Sequence, residues 1–125
     1  MPPSLPIVLG ARLLAALLCC APAQAETASL LASWYGARHE GRATASGCPF
    51  RAAGLTAASP DLPLGTVLEV SRAGRAVRVV VNDRGPYAPG RRLDLARGAA
   101  ARLDMLRLGV ARVSVVVVGA VALRC

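Results

Sequence analysis

The chain has 125 residues and a formal net charge of +8, with fifteen arginines, no lysine and seven acids. That length suits one domain and is too short for a doubly wound nucleotide enzyme. The charge favours a polyanionic partner without choosing among nucleic acid, membrane surface and acidic wall polymer.

Residues 1–25 read as a secretory leader, with Arg12, an apolar run over 13–21 and small residues up to Ala25 at the cleavage point. The apolar run is too short to serve as a membrane anchor. Lipoprotein processing at Cys19 or Cys20 is the minor alternative, because Leu18 and Cys19 are bulkier than the residues that usually precede a lipidated cysteine. Export to the periplasm, the cell envelope or the medium argues against a nucleic-acid partner. It leaves residues 26–125 as the mature domain, with Cys48 and Cys125 in an oxidising compartment, where one disulfide is expected.

Residues 26–30 read as a mobile lead-in, and Ala32-Ser33-Trp34-Tyr35-Gly36 as a strand. A loop rich in Gly, Arg and Ser follows, through Cys48 to Phe50. Leu55-Thr56-Ala57-Ala58 is a short apolar segment stopped by Ser59-Pro60-Asp61-Leu62-Pro63. Over 66–71 the pattern alternates, Leu68 and Val70 on one face and Val67 and Glu69 on the other. After the turn at residues 72–75, Val77, Val79 and Val81 mark a returning strand with Arg78 on its opposite face, which makes a hairpin. That strand ends at Asn82-Asp83-Arg84-Gly85-Pro86-Tyr87, where Gly-Pro turns the backbone out of the sheet. A short strand near Leu93-Asp94-Leu95, a helix over 97–105 and a Val-rich strand over 111–118 with two-sided burial complete the chain. Six short strands and one helix predict a small, mainly β barrel.

Among the acids, Glu26 lies at the start, Asp61 in a Pro-bounded loop, Glu69 on the hairpin and Asp104 on the helix. Asp83 follows a buried Val strand and precedes a forced turn, which puts it at a barrel rim where partial burial favours the protonated form. The alternative is an Asx turn, the carboxylate bonding its own main chain. Asp94 reads as a structural partner of an arginine or of amides at the helix start, and Trp34 as core. His39 beside Glu40, with Cys48 nearby, suggests a thiol dyad only if Cys48 is free. One histidine and two distant thiols match no zinc spacing, and no metal or other cofactor is expected.

Three blocks resemble one family, the RlpA (rare lipoprotein A) proteins of bacterial envelopes. They are Ala32-Ser33-Trp34-Tyr35-Gly36 with Gly41-Arg42-Ala43-Thr44-Ala45-Ser46-Gly47, then Leu55-Thr56-Ala57-Ala58 with Leu62-Pro63-Leu64-Gly65-Thr66, then Asn82-Asp83-Arg84-Gly85-Pro86 with Arg92-Leu93-Asp94-Leu95. The resemblance implies a six-stranded double-psi β-barrel with one short helix, a fold shared with expansins and barwin. It also implies a monomeric lytic transglycosylase acting on peptidoglycan glycan strands to leave anhydromuramyl ends, without the SPOR domain of many relatives. In such a reaction the sugar's own C6 hydroxyl is the nucleophile, so one carboxyl can protonate the leaving oxygen and then accept the hydroxyl proton. Asp83 takes that catalytic role. Tyr35, Arg42, Thr44, Asn82 and Arg84 are the candidates for lining the groove, with Tyr35 stacked on a sugar face. Active relatives have Glu after the glycine at Gly47 and His after the Thr-Ala-Ala block, where this chain has Cys48 and Ser59. Those two departures motivate the alternative, a wall-glycan binding module of the expansin or barwin kind that breaks no bonds.

Overall fold

In the computed structural model, which describes residues 3–4 and 26–125, six strands close into a barrel. They are β1 (Ala28–Tyr35), β2 (Thr56–Ala58), β3 (Thr66–Arg72), β4 (Arg75–Asp83), β5 (Arg91–Ala96) and β6 (Val110–Ala120), with a 3-10 turn at Ala37–His39 and one helix, α1 (Arg97–Arg102). The predicted leader, with Cys19 and Cys20, lies outside the described residues. Among the described residues no helix is long and apolar enough to cross a membrane.

Around the barrel the order is β1-β5-β2-β4-β3-β6. The β3–β4 hairpin pairs Val67 with Val80 through Arg72 with Arg75, as the alternation predicts. Two contacts, β1 with β5 and β2 with β4, are parallel; the other four are antiparallel. Leu68, Val70, Val77, Val79, Val81, Leu93 and Leu95 fill the interior. Truncating one of the leucines to Ala would cost roughly 2–5 kcal/mol.

Three local expectations change. Residues 28–30 are strand, because Ala28, Ser29 and Leu30 pair with Val115, Ser114 and Val113 and Leu30 packs against the core. The helix stops at Arg102 instead of continuing to 105. Asp104 adopts φ 52°, and the turn drives Leu103 and Met105 into the core. In β6 burial is one-sided over its first part, with Ala111, Val113 and Val115 inward and Val110 and Arg112 outward, and from Val117 to Ala120 every residue is exposed as the strand runs past the core. A closed barrel has a single interior, so a strand rich in Val still turns one face to water.

The barrel also fixes one rung of residues. Ser33 of β1 pairs with Asp94 of β5, Asp94 with Ala58 of β2, and Ala58 with Asp83 of β4. The β2–β4 register slips between Ala57 and Ala58, so Asn82 is the extra residue and Asp83 stands opposite Ala58. Such a bulge re-aims side chains at a barrel rim. The two aspartates thus sit two strand spacings apart, about 10 Å between main chains, with a methyl side chain between them.

Candidate active site

That rung opens onto a cleft of about 310 Å³ whose walls include Tyr35, His39, Asp83, Arg84, Tyr87 and Asp94. Larger grooves exist elsewhere on the surface, one of about 430 Å³ beside Asn82 and one of about 820 Å³ beside Arg97. Neither of these has an Asp or Glu in its walls, and shape without reactive groups is a weaker guide to chemistry. A hollow of about 210 Å³ does hold Glu26 and Asp61, but there Asp61 is paired with Arg92.

Asp83 is half-buried, and its Oδ1 accepts two main-chain N–H bonds, from Ala45 and Arg84, both 2.9 Å. The Arg84 bond is a local turn of the kind considered from sequence; the Ala45 bond comes from a distant loop. Both main-chain bonds fall on Oδ1, which leaves Oδ2 as the oxygen available to a ligand, with the Tyr35 hydroxyl close to the same carboxyl. Asp94 accepts a bond from Ser33 Oγ at 3.0 Å. Burial pushes its pKa above the ordinary value, outweighing the opposing pull of Ser33, Arg91 and His39, while the nearby Asp83 charge adds to the rise. Asp94 was expected to pair with an arginine or helix amides. The β1–β5 register instead gives it Ser33 and a place in the cleft.

Tyr35 stands between them electrostatically. Burial, then the charges of Asp83 and Asp94, hold its proton on well above the usual phenol range. Its hydroxyl is buried and makes no hydrogen bond of good geometry. Its ring is stacked on Phe50 at 4.3 Å and meets the His39 ring edge-on at 5.4 Å, so Phe50 already covers one face. Tyr87, 81% exposed at the rim, is the aromatic left free for a sugar. Sequence reading missed it, although a tyrosine directly after a Gly-Pro turn had little chance of reaching the core.

The remaining candidates are placed as follows. Arg84 lines the cleft, but its guanidinium donates to the Ser59 and Leu62 carbonyls and so ties down the loop over 59–62. Thr44 is buried, its hydroxyl bonded to Ser46 Oγ and the Cys48 carbonyl. Arg42 lies on an exposed loop away from the cleft, and Asn82 lines the separate 430 Å³ groove. Ser59 is buried, and its hydroxyl accepts the Leu62 N–H at 3.0 Å as a loop cap. Cys48 is bonded to Cys125. This linkage anchors the loop whose Ala45 N–H holds Asp83, and it excludes a thiolate nucleophile in the oxidised protein. Among the described residues no three His, Cys, Asp or Glu side chains converge as a metal centre requires.

A closed six-stranded barrel with two parallel contacts is the architecture of the double-psi β-barrels, and solved structures agree. The Streptomyces papain inhibitor superposes with a TM-score of 0.61 at 26% identity, covering 75% of this chain and 96% of that one. The apo-expansin of Clavibacter michiganensis gives 0.62 at 26% identity, covering 78% and 52%. Residues 27–115 match the family model described as lytic transglycolase, and the chain belongs to that family. The endolytic peptidoglycan transglycosylase RlpA of Campylobacter jejuni is 44% identical over 96 residues, 75% of this chain and 35% of that protein. The chain thus spans about a third of that relative's length.

Proposed function

We propose that the protein is a lytic transglycosylase that cleaves muramic acid–glucosamine bonds in peptidoglycan glycan strands, after export of residues 26–125 as a monomer to the periplasm or cell envelope. The observation that carries this reading is the pair of carboxyls, differently held, in one open cleft of a lytic transglycolase family member.

Sequence reasoning needed only one carboxyl, and the cleft offers two. Asp94, which burial inclines to keep its proton, donates to the departing glycosidic oxygen as its bond to C1 breaks. Asp83, through Oδ2, accepts the proton of the C6 hydroxyl as that oxygen bonds to C1 and closes the anhydro ring. One proton is given and one taken. Transfer from Asp83 back to Asp94 through the cleft resets the pair. Tyr35, kept neutral and with its hydroxyl buried, forms the cleft wall beside the two carboxyls. Tyr87 supplies the stacking face, and Arg84 holds the wall beside it.

The test is to incubate the purified protein with peptide-free glycan strands and weigh the products by mass spectrometry. New anhydromuramyl ends that vanish in Asp83→Asn support the reading. Strand binding without new ends favours the second reading, a non-catalytic glycan-binding module. Cys48 and Ser59, standing where the sequence comparison placed Glu and His, favour that reading, as does the likeness to an expansin.

A further inference from the structure

The cleft does not end at Tyr35. Tyr35 and His39 also wall a neighbouring hollow of about 350 Å³ that runs over the 3-10 turn, and Ala37 of that turn borders the 820 Å³ groove containing Arg97 and Arg102. Gly36 forms the saddle between them. A Cβ there would come within 3.2 Å of the Trp34 ring and 3.6 Å of Arg97 Cδ, so the arginine stem lies along the glycine. Beyond the saddle the floor consists of small residues, Ala52, Ala53, Gly54 and Gly98, which leave room for a bulky ligand. The helix start is held against this floor by a Gly98 N–H bond to the Ala52 carbonyl at 2.8 Å.

Charge divides this track in two. At one end stand Asp83 and Asp94. Along the turn and at the other end stand Arg38, Arg97 and Arg102, all exposed; Glu40 stands there too, its carboxylate taken up by the Ala52 N–H and Arg51. Among the described residues none of these three has a carboxylate within 4.0 Å, whereas Arg51, Arg78 and Arg92 each have one. A guanidinium recognises a carboxylate through paired, charge-assisted hydrogen bonds and gains nothing comparable from a neutral hydroxyl.

We propose that the groove beside Arg97 and Arg102 is a second arm of the binding site, one that takes an anionic glycan whose sugars carry carboxylates. Arg97 and Arg102 pair with those groups. This rests on the reading that a glycan enters the Asp83 cleft and adds what the cleft alone does not specify, a preference for acidic over neutral strands. The same asymmetry orients the ligand. Its carboxylates are repelled from the aspartate end and drawn to the arginine end, which fixes the direction in which the strand crosses the saddle.

Binding is measured by calorimetry in the Asp83→Asn background, so that turnover does not intervene. The probes are peptide-free peptidoglycan strands and the same strands with their carboxyls reduced to alcohols. Two exposed ion pairs predict about fivefold tighter binding of the carboxylate form at low salt. That preference disappears in R97Q/R102Q and survives in R75Q/R124Q, which removes equal charge elsewhere. Equal affinity for both strand types overturns the inference, and so does an equal loss in the control pair. Binding of neither probe overturns the glycan reading of the cleft itself, while strong binding without discrimination overturns the second arm alone. Thermal melts of both charge variants check that these exposed substitutions leave the fold intact.

Discussion

Asn82 and Asp83 are consecutive on β4 and open onto different parts of the surface. Asp83 faces a cleft shared with Asp94, Tyr35 and Tyr87, its Oδ1 held by two main-chain N–H groups. Asn82 is buried and lines a mainly apolar groove roofed by the Cys48–Cys125 linkage; its Oδ1 and Thr56 Oγ1 have no hydrogen-bond partner among the described residues. One side carries the carboxyls of the proposed proton transfer, and the other carries the cross-link. The difference between them is the direction of two adjacent side chains at a bulge.

The largest expected effect is on the Asp83 side. Asp83→Asn keeps an oxygen to accept from Ala45 and Arg84, so its melting temperature should stay close to that of the parent. Its cleavage rate should fall by roughly 10²–10⁴-fold, the usual worth of a positioned acid or base, as counted from anhydromuramyl ends. A rate within threefold of the parent would break the comparison outright.

Asp94→Asn should lower the rate by roughly 10²-fold or more, again the scale of a lost proton donor. Its stability should change with pH in a defined direction. A carboxyl whose folded pKa is raised stabilises the fold below its unfolded value, here 3.8, and that contribution is lost as pH rises through the folded value. Denaturant titrations from pH 4 upward should therefore show the parent losing stability relative to Asp94→Asn. The opposite slope would mean that the fold prefers Asp94 charged.

On the Asn82 side the main effect should be on stability. Cys125→Ser removes a cross-link between residues 77 apart in sequence and should cost roughly 2–4 kcal/mol in urea unfolding. Tyr87→Ala should raise KM by the loss of about 0.5–1.5 kcal/mol of aromatic contact without altering the melt, because the ring is exposed. The smallest effect belongs to Asn82→Val. Replacing a buried, unpartnered acceptor by an apolar side chain should leave stability unchanged within about 1 kcal/mol and the rate near that of the parent. A large rate loss there would move Asn82 into the active site.

The hairpin of β3 and β4, the exit of the chain at Gly85-Pro86 and the six-strand composition were legible in the sequence. Each depends on alternation or turn residues within a few positions. Cys48 and Cys125 were legible for another reason, because they remain as a pair once the leader cysteines are set aside. Asp83 could be singled out as the acid between a buried Val strand and a forced turn.

The rest depended on which strands lie side by side. Asp94 looked like a helix-start partner until β5 paired with β1 and β2 and placed it on one rung with Ser33, Ala58 and Asp83. Thr44 and Arg42 lie in the same motif block as Tyr35, yet loop closure by Thr44 N–H to the Cys48 carbonyl keeps both out of the cleft. Sequence by itself determined the kind of elements and singled out one carboxyl at a strand end, because those are set by neighbours along the chain. Only the tertiary structure brought Asp94 beside Asp83, left Tyr87 exposed at the rim and set Arg97 and Arg102 in one groove. Parallel pairing, a bulge and ring closure bring distant residues together with no local signal in the sequence.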